Sequence, residues 1–195
     1  MKLLFPSLTW SIRKKEKIIY LTFDDGPIPV VTPWVLNELA KHNATATFFC
    51  IGDNVIKHPE IYRQITAEGH RTGNHTQYHL NGWNVATDIY KKDVEDAARV
   101  INSNLFRPPY GKITPSLINQ LKKKYKIIMW DVLTYDFDST KTAEYCINKV
   151  KTSAKNGSII VFHDSIKAEP RLKKALPEVL KHFQNMGYRF EAIPL

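Results

Sequence analysis

Short clusters of polar residues in this sequence have the types and spacing that catalysis requires. Asp24 and Asp25 are adjacent and follow an apolar run at residues 18–23. Two buried carboxylates this close raise one of the two pKa values unless a cation lies beside them, and a metal ion bound by one carboxylate is such a cation. The alternative is an ordinary turn, because Asp-Gly and Gly-Pro pairs favour turns. The Asp-Asp-Gly cluster by itself favours the turn.

His75 and His79 form a second cluster, in which the histidines are four positions apart. Imidazoles at this spacing can face one point, and together with one carboxylate they provide a metal site with open positions. A metal ion in such a site binds water and substrate at the same time. The alternative is a pair of surface histidines, which is the more frequent meaning of this pattern when it stands alone.

Two more clusters contain groups that need a partner. Arg107 follows an apolar segment and precedes two prolines, Tyr110 and Gly111. The prolines stiffen this loop, the glycine lets the backbone approach a ligand, and the guanidinium needs a carboxylate, although the loop alone also fits a rigid turn. His163 ends the apolar run 158–162. It is either a satisfied core histidine or, with a carboxylate partner, a candidate general acid.

Strand-like and helix-like segments alternate along the chain and determine where these clusters lie. Strands are predicted at residues 18–23, 46–51, 70–75, 105–108, 125–130, 158–162 and 188–193. Helices are predicted at residues 32–42, 54–68, 86–103, 115–124, 143–154 and 170–186. Near-continuous apolar runs are typical of parallel strands buried on both faces. The alternation fits a doubly wound sheet and a βα barrel, and in a barrel the loops that follow the strands build the active site.

Composition and charge favour a globular protein. The chain has 195 residues, of which 43% are hydrophobic and 24% are charged, and this balance excludes a disordered chain. The net charge is +9, but the basic residues are scattered, with the densest groups at 13–15 and 122–124. We therefore expect a solvated surface and no nucleic-acid partner. Cys50 and Cys146 lie in apolar runs and are predicted to be reduced core thiols.

Taken together and in this order, the clusters resemble the five motifs of the polysaccharide deacetylase family, the carbohydrate esterases of family four with a NodB homology domain. The motifs read TFDDGP (22–27), HTQYH (75–79), RPPYG (107–111), WDVLTYDF (130–137) and IIVFHD (159–164). The resemblance covers nearly the whole chain. It implies an α/β fold, a distorted (β/α) barrel with about seven parallel strands. It also implies a single domain over 1–195, with residues 1–17 as an N-terminal extension.

The resemblance implies one divalent metal ion and a base beside it. Asp25, His75 and His79 correspond to the metal ligands, with zinc as the favoured ion and cobalt, nickel or iron as alternatives. Asp24 corresponds to the catalytic base, and Arg107 corresponds to the arginine that holds the base.

The remaining motifs imply an acid and a substrate-binding loop. His163 corresponds to the catalytic acid, and Asp136 to the aspartate that tunes it. The backbone N–H of Tyr110 corresponds to the oxyanion donor, and Pro109 precedes it in the same substrate-binding loop.

Two positions depart from the family pattern. Phe137 replaces a tryptophan, and Val161 replaces a leucine, in residues that form the small acetate pocket. Both remain apolar, so the pocket keeps its character but changes shape. Trp83 is placed either near the glycan cleft or in the core.

The implied reaction is hydrolysis of N-acetyl groups on N-acetylglucosamine units of peptidoglycan, chitin-like oligomers or a related glycan, with release of acetate. The alternatives are an acetyl-xylan esterase and a non-catalytic glycan-binding module, although the complete catalytic set favours an enzyme.

No apolar run approaches the ~20 residues of a membrane span. Three apolar residues precede Pro6, fewer than the ~7–15 of a signal peptide. No signal peptide is therefore predicted, although a cell-wall substrate requires export. The compartment and the oligomeric state stay open.

Overall fold

The computed structural model describes residues 5–194 as an α/β protein. Its strands are β1 (Ile18–Asp24), β2 (Thr47–Cys50), β3 (Arg71–Asn74), β4 (Leu105–Phe106), β5 (Lys126–Ile127), β6 (Val132–Leu133), β7 (Ile159–His163) and β8 (Arg189–Phe190). Its helices are α1 (Val31–Lys41), α2 (Gly52–Lys57), α3 (Pro59–Ala67), α4 (Thr87–Ala97), α5 (Pro115–Leu121), α6 (Ala143–Ser153) and α7 (Glu169–Asn185). Residues 1–4, which begin the segment compared with a signal peptide, lie outside the described residues.

The strands of the described chain form one parallel sheet that curves into an incomplete barrel. Seven of them follow the order β5-β4-β3-β2-β1-β7-β6, and β8 pairs with the beginning of β1. The prediction of a distorted βα barrel is confirmed. The sequence did not predict β6 as a strand of its own, because it is two residues long and follows the predicted strand 125–130.

Alternate side chains of β1 lie in two different apolar clusters. Ile18 and Tyr20 pack with residues of other strands inside the barrel, whereas Leu21 and Phe23 pack between the sheet and the outer helices. All seven residues of β1 are buried, which explains why the strand is apolar without alternation. Since successive side chains of a strand point to opposite faces, Asp24 lies on the same inner face as Tyr20.

The N-terminal extension contacts the sheet near its edge strands. The N–H of Thr9 donates to the carbonyl of Ile127 at 2.9 Å, and the N–H of Met129 donates to the carbonyl of Thr9 at 2.7 Å. Three residues later, the N–H of Ile12 donates to the carbonyl of Gly157 at 2.8 Å. This segment therefore runs from the end of β5 to the beginning of β7. The single-domain prediction itself stays a prediction.

The predicted single helix at 54–68 is wrong, because the chain forms two helices there. Helix α2 ends before His58, and α3 begins at Pro59. Proline has no N–H for a helical hydrogen bond and disfavours helical angles in the preceding residue. His58 accordingly has φ −132° and ψ 56°.

The two cysteines are buried free thiols, as predicted. Burial raises the pKa of the Cys50 thiol and raises the pKa of Cys146 to about 11. Both therefore behave as small apolar side chains. Among the described residues, none of the helices combines the length and the apolar character that crossing a membrane requires.

Candidate active site

The five motifs meet at the carboxyl edge of the sheet. Strands β1 and β7 are adjacent and in register, so Asp24 and His163 lie side by side at their ends. Asn74 ends β3 immediately before residues 75–79, which we call the histidine loop, and Arg107 directly follows β4. Because the carboxyl ends of parallel strands share one edge, motifs that are far apart in sequence are brought together there.

Asp25, His75 and His79 form a candidate metal site. Each residue offers one ligand atom, and these atoms lie within 4.8 Å of one another. The Nε2 atoms of His75 and His79 are 3.9 and 3.3 Å from Oδ1 of Asp25. Ligands of a tetrahedral zinc ion lie about 3.4 Å apart, since each is ~2.0–2.1 Å from the metal. Two imidazole nitrogens and one carboxylate oxygen at these separations fit a divalent transition metal ion.

Burial makes His75 a suitable ligand. It lowers the pKa of this histidine well below its ordinary value, and the neighbouring His79 lowers it further. His75 Nδ1 lies 2.7 Å from the carbonyl oxygen of Arg107. Because a carbonyl only accepts hydrogen bonds, Nδ1 carries the proton, and the Nε2 lone pair is directed to the metal site.

His79 is held by the side chain of Tyr110. Its Nδ1 atom lies 3.1 Å from the Tyr110 hydroxyl, and the two rings are in edge contact with centroids 4.6 Å apart. When Nε2 of His79 binds a cation, Nδ1 carries the proton and donates it to the hydroxyl oxygen. The third motif therefore supplies a partner for each histidine of the second motif.

The backbone of the histidine loop is held by two buried polar side chains. Oδ2 of Asp93, on α4, accepts hydrogen bonds from the N–H groups of Gln77 and Tyr78 at 3.1 and 3.3 Å. Asn74 accepts one from the N–H of Thr76 at 2.8 Å. Thr76 has φ +66°, a backbone conformation that is rare for a β-branched residue. These bonds therefore stabilise a loop conformation that the sequence alone disfavours.

Arg107 is fully buried and holds Asp24. Its Nη1 atom donates to Asp24 Oδ1 at 2.6 Å and to Thr22 Oγ1 at 2.7 Å. The other nitrogens, Nε and Nη2, donate to the carbonyls of Ile128 and Met129 at 3.3 and 3.1 Å. Burial lowers the pKa of Arg107, and the Asp24 carboxylate raises it. The guanidinium stays protonated, and the prediction that it needs a carboxylate partner is confirmed.

His163 is paired with Asp136 on the other side of the site. The two oxygens of Asp136 lie 2.8 Å from Nδ1 and from the backbone nitrogen of His163. Burial lowers the pKa of His163, but the charge and hydrogen bond of Asp136, together with Asp25 and Asp24, raise it to about 9. The Phe137 ring meets the imidazole edge-on, with centroids 4.9 Å apart. His163 is therefore protonated at neutral pH, as a general acid must be.

Asp164 supports the loop that carries the two adjacent aspartates. It accepts hydrogen bonds from the N–H of Gly26 at 3.1 Å and from the hydroxyl of Thr32 at 2.6 Å. Burial raises its pKa to about 8, and the charge of Asp25 adds to this rise. A Cβ atom at position 26 would lie 2.0 Å from Asp164 Oδ2, so only glycine allows this contact.

The third motif forms a tight turn beside the candidate metal ligands. Tyr110 and Gly111 both have positive φ, of 59° and 66°. Pro109 is buried, whereas the Tyr110 side chain is 61% exposed. The predicted roles of the Tyr110 N–H as oxyanion donor and of Pro109 in substrate binding stay predictions.

A cavity of about 420 Å³ opens between the candidate metal ligands and His163. It is lined by Asp24, Asp25, His75, His79, Tyr110, Trp130, Leu133, Phe137, Val161, His163 and Lys167. The predicted acetate-pocket residues Phe137 and Val161 are among them. Trp130 and Leu133 belong to the WDVLTYDF motif but were given no role of their own, and Lys167 precedes a helix without any motif. A buried carboxylate and a protonated histidine on either side of candidate metal ligands are typical of a hydrolase.

Comparison with known proteins agrees with this geometry. The sequence model described as polysaccharide deacetylase matches residues 11–126. The chain therefore belongs to the polysaccharide deacetylase family, and it is an enzyme of that family.

Individual relatives resemble the chain over nearly its full length. A peptidoglycan-N-acetylglucosamine deacetylase of Bacillus cereus is 35% identical over 193 residues, which cover 95% of this chain and 91% of the relative. The solved structure of the Bc1960 peptidoglycan N-acetylglucosamine deacetylase has a TM-score of 0.92 at 30% identity, over 100% of this chain and 94% of the other. A cobalt complex of a family 4 acetyl xylan esterase from Clostridium thermocellum has a TM-score of 0.81 at 30% identity, over 90% and 88% of the two chains.

Proposed function

We propose that this enzyme removes N-acetyl groups from N-acetylglucosamine units of peptidoglycan or of chitin-like oligomers, with one divalent metal ion held by Asp25, His75 and His79. The observation that carries the proposal is the single cavity that joins these ligands to Asp24 on one side and His163 on the other. The full-length similarity to peptidoglycan-N-acetylglucosamine deacetylases supports the choice of substrate.

The metal ligands favour zinc, with cobalt, nickel or iron as alternatives. A divalent ion held by these three residues would polarise the acetamide carbonyl and lower the pKa of a bound water. The remaining chemistry is assigned to Asp24, Tyr110 and His163, which line the same cavity.

Asp24 accepts the proton of the attacking water. Its carboxylate is held by Arg107 at 2.6 Å, so it enters the reaction already oriented. The backbone N–H of Tyr110 donates a hydrogen bond to the developing oxyanion, an interaction whose loss typically costs ~3–4 kcal/mol in other hydrolases.

His163 donates a proton to the leaving amine nitrogen. Asp136 holds Nδ1 of the imidazole, which leaves Nε2 as the donor to the substrate. Phe137 and Val161 exclude water from the acetyl methyl group, because both are apolar and line the cavity.

Acetate release from N-acetylglucosamine oligomers and from peptidoglycan tests the proposal. Wild type and Asp24→Asn are compared after chelator treatment, with and without added zinc. We expect metal-dependent release that Asp24→Asn lowers by about 10²–10⁴-fold, the usual contribution of a general base. If Asp24→Asn released acetate as fast as wild type, the role of Asp24 would be contradicted. If wild type released no acetate from any of these glycans, the substrate class would be contradicted.

An acetyl-xylan esterase is the second candidate, since a solved structure that is 30% identical to this chain, with a TM-score of 0.81, is an acetyl xylan esterase. The two activities are separated by acetate release from acetylated xylan and from N-acetylglucosamine oligomers at matched acetyl concentration. We expect a higher kcat/KM for the N-acetylated oligomers, and the opposite ranking would favour the esterase.

A further inference from the structure

The exposed aromatic side chains of this protein share one edge of the barrel. Among the described residues, four aromatic side chains are at least 40% exposed, namely Tyr78, Trp83, Tyr110 and Tyr145. All four follow strands on the side of the active site: two precede α4, one precedes α5, and one lies in the first turn of α6. Large apolar groups exposed beside a cavity commonly mark a binding surface.

Trp83 is exposed but held in a defined orientation. It is 59% exposed, yet its indole Nε1 donates to the carbonyl of Ile113 at 3.3 Å. Its backbone N–H donates to Asn81 Oδ1 at 3.0 Å, and the Lys112 ammonium lies 5.3 Å from the ring centroid. A rigid aromatic side chain loses little conformational entropy on binding a ligand.

The loop that carries Trp83 contacts the loop of the RPPYG motif, which borders the candidate active site. A Cβ atom on Gly82 would lie 2.6 Å from the carbonyl oxygen of Lys112, so the two backbones are in direct contact. A Cβ atom on Gly111 would lie 2.7 Å from the ring of Trp130, which lines the catalytic cavity. Trp83 is thus connected to the catalytic cavity through residues of these two loops that contact one another directly.

We propose that Trp83 forms a second sugar-binding position, where its ring packs against a sugar of the glycan chain other than the one that loses its acetyl group. This inference rests on the proposed function. The catalytic cavity measures about 420 Å³, and a polymer substrate continues beyond it. The C–H face of a pyranose ring is apolar, and packing it on an indole removes apolar area from water.

The test measures how the effect of Trp83→Ala depends on substrate length. The ratio of kcat/KM between wild type and Trp83→Ala is determined for N-acetylglucosamine oligomers from the disaccharide to the hexasaccharide. We expect the ratio to be smallest for the disaccharide and to grow to about 10 for the hexasaccharide, which corresponds to ~1.4 kcal/mol of lost binding. The loss is expected in KM, with kcat little changed.

Two further variants separate sugar binding from loop support. Trp83→Phe keeps an aromatic face and is expected to restore most of the length dependence. Met186→Ala removes another exposed apolar side chain, at the opposite end of the barrel after α7, and is expected to give a ratio near one at every length. A ratio for Trp83→Ala that is the same for all oligomers, whether high or near one, would overturn the inference.

Binding to an inactive protein distinguishes failure of this inference from failure of the proposed function. Hexasaccharide affinity is measured by calorimetry for Asp24→Asn and for Asp24→Asn combined with Trp83→Ala. A difference of about tenfold supports the sugar position even if wild type releases no acetate, and equal affinities contradict it even if wild type is active.

Discussion

Arg107 and Asp24 form an ion pair that is removed from solvent, with Nη1 and Oδ1 2.6 Å apart and side chains 0% and 5% exposed. Asp24 ends β1 and Arg107 follows β4, and these strands are separated in the sheet by β2 and β3. The guanidinium therefore crosses the inside of the barrel to reach Asp24. This pair joins the two sides of the fold and orients the carboxylate that we propose as the base.

Replacing Arg107 by methionine should lower both stability and activity. The apolar replacement leaves the Asp24 carboxylate buried without its charged partner, which costs about 3–5 kcal/mol in comparable buried pairs. Urea unfolding measures this change. Acetate release should fall by at least the ~10²-fold attributed to a general base, because Asp24 is no longer oriented.

The matched control is Arg189→Met, which breaks the exposed pair of Arg189 with Glu191, whose atoms are 3.3 Å apart and whose side chains are 67% and 41% exposed. Exposed ion pairs contribute roughly 0–1 kcal/mol. Similar unfolding midpoints for the two variants would contradict the structural importance of the buried pair.

Asp136→Asn should move the descending limb of the pH–rate profile to lower pH. In wild type, burial lowers the pKa of His163, but nearby carboxylates, chiefly Asp136, raise it to about 9. Without the carboxylate, burial lowers this pKa, so His163 loses its proton at lower pH and fails as an acid earlier. We expect the limb to shift by roughly 1–3 pH units, the usual effect of a nearby opposite charge.

Asp138→Asn provides the control, since Asp138 lies two residues after Asp136 in the chain but is not among the carboxylates that raise the pKa of His163. Its pH–rate profile should match wild type. The raised pKa also predicts that His163 stabilises the fold fully below its unfolded pKa of about 6.5 and loses this contribution as pH rises to about 9. An unmoved limb in Asp136→Asn would show that another group sets it.

The sequence predicted which residues lie together at the candidate site better than it predicted where the helices end. Asp24, Arg107 and His163 could be found because each ends or follows an apolar strand, and parallel strands bring such positions to one edge. The boundary between α2 and α3 was missed because the apolar spacing continues across Pro59, whereas the missing N–H of the proline and its effect on the angles of His58 break the helix.

Residues that support the site or line its cavity were harder to predict from the sequence than the candidate metal ligands. Asp93 lies on α4 among other charged residues, so its burial and its bonds to the histidine loop depend on how the helix packs. Lys167 lines the cavity from the loop before α7, and no pattern around it indicates this. Contacts that arise from the packing of separate elements have no local signal in one sequence.

Tyr110→Phe should weaken metal binding. The substitution keeps the ring and the backbone but removes the hydroxyl that lies 3.1 Å from Nδ1 of His79. Loss of such a partner typically lowers metal affinity about 10–100-fold, and competition with a chelator of known affinity measures it. Tyr78→Phe is the control from the same histidine loop, with a side chain that is 64% exposed. Equal zinc affinities of the two variants would argue against an orienting role for the Tyr110 hydroxyl.

Asp93→Ala should loosen the histidine loop and reduce stability. The variant removes the side-chain acceptor shared by the N–H groups of Gln77 and Tyr78, and the Gln77 N–H keeps only the backbone carbonyl of Asp93, at 3.1 Å. Hydrogen bonds to a charged group contribute about 1.5–3 kcal/mol. We expect a loss of about 2–3 kcal/mol in urea unfolding, together with weaker zinc binding in the chelator competition. Asp96→Ala, three residues along the same helix, removes only the surface pairs with Lys92 and Arg99 and should change stability by at most ~0.5 kcal/mol. If Asp93→Ala lowered stability but left zinc affinity at the wild-type value, the carboxylate would stabilise α4 without positioning the metal ligands.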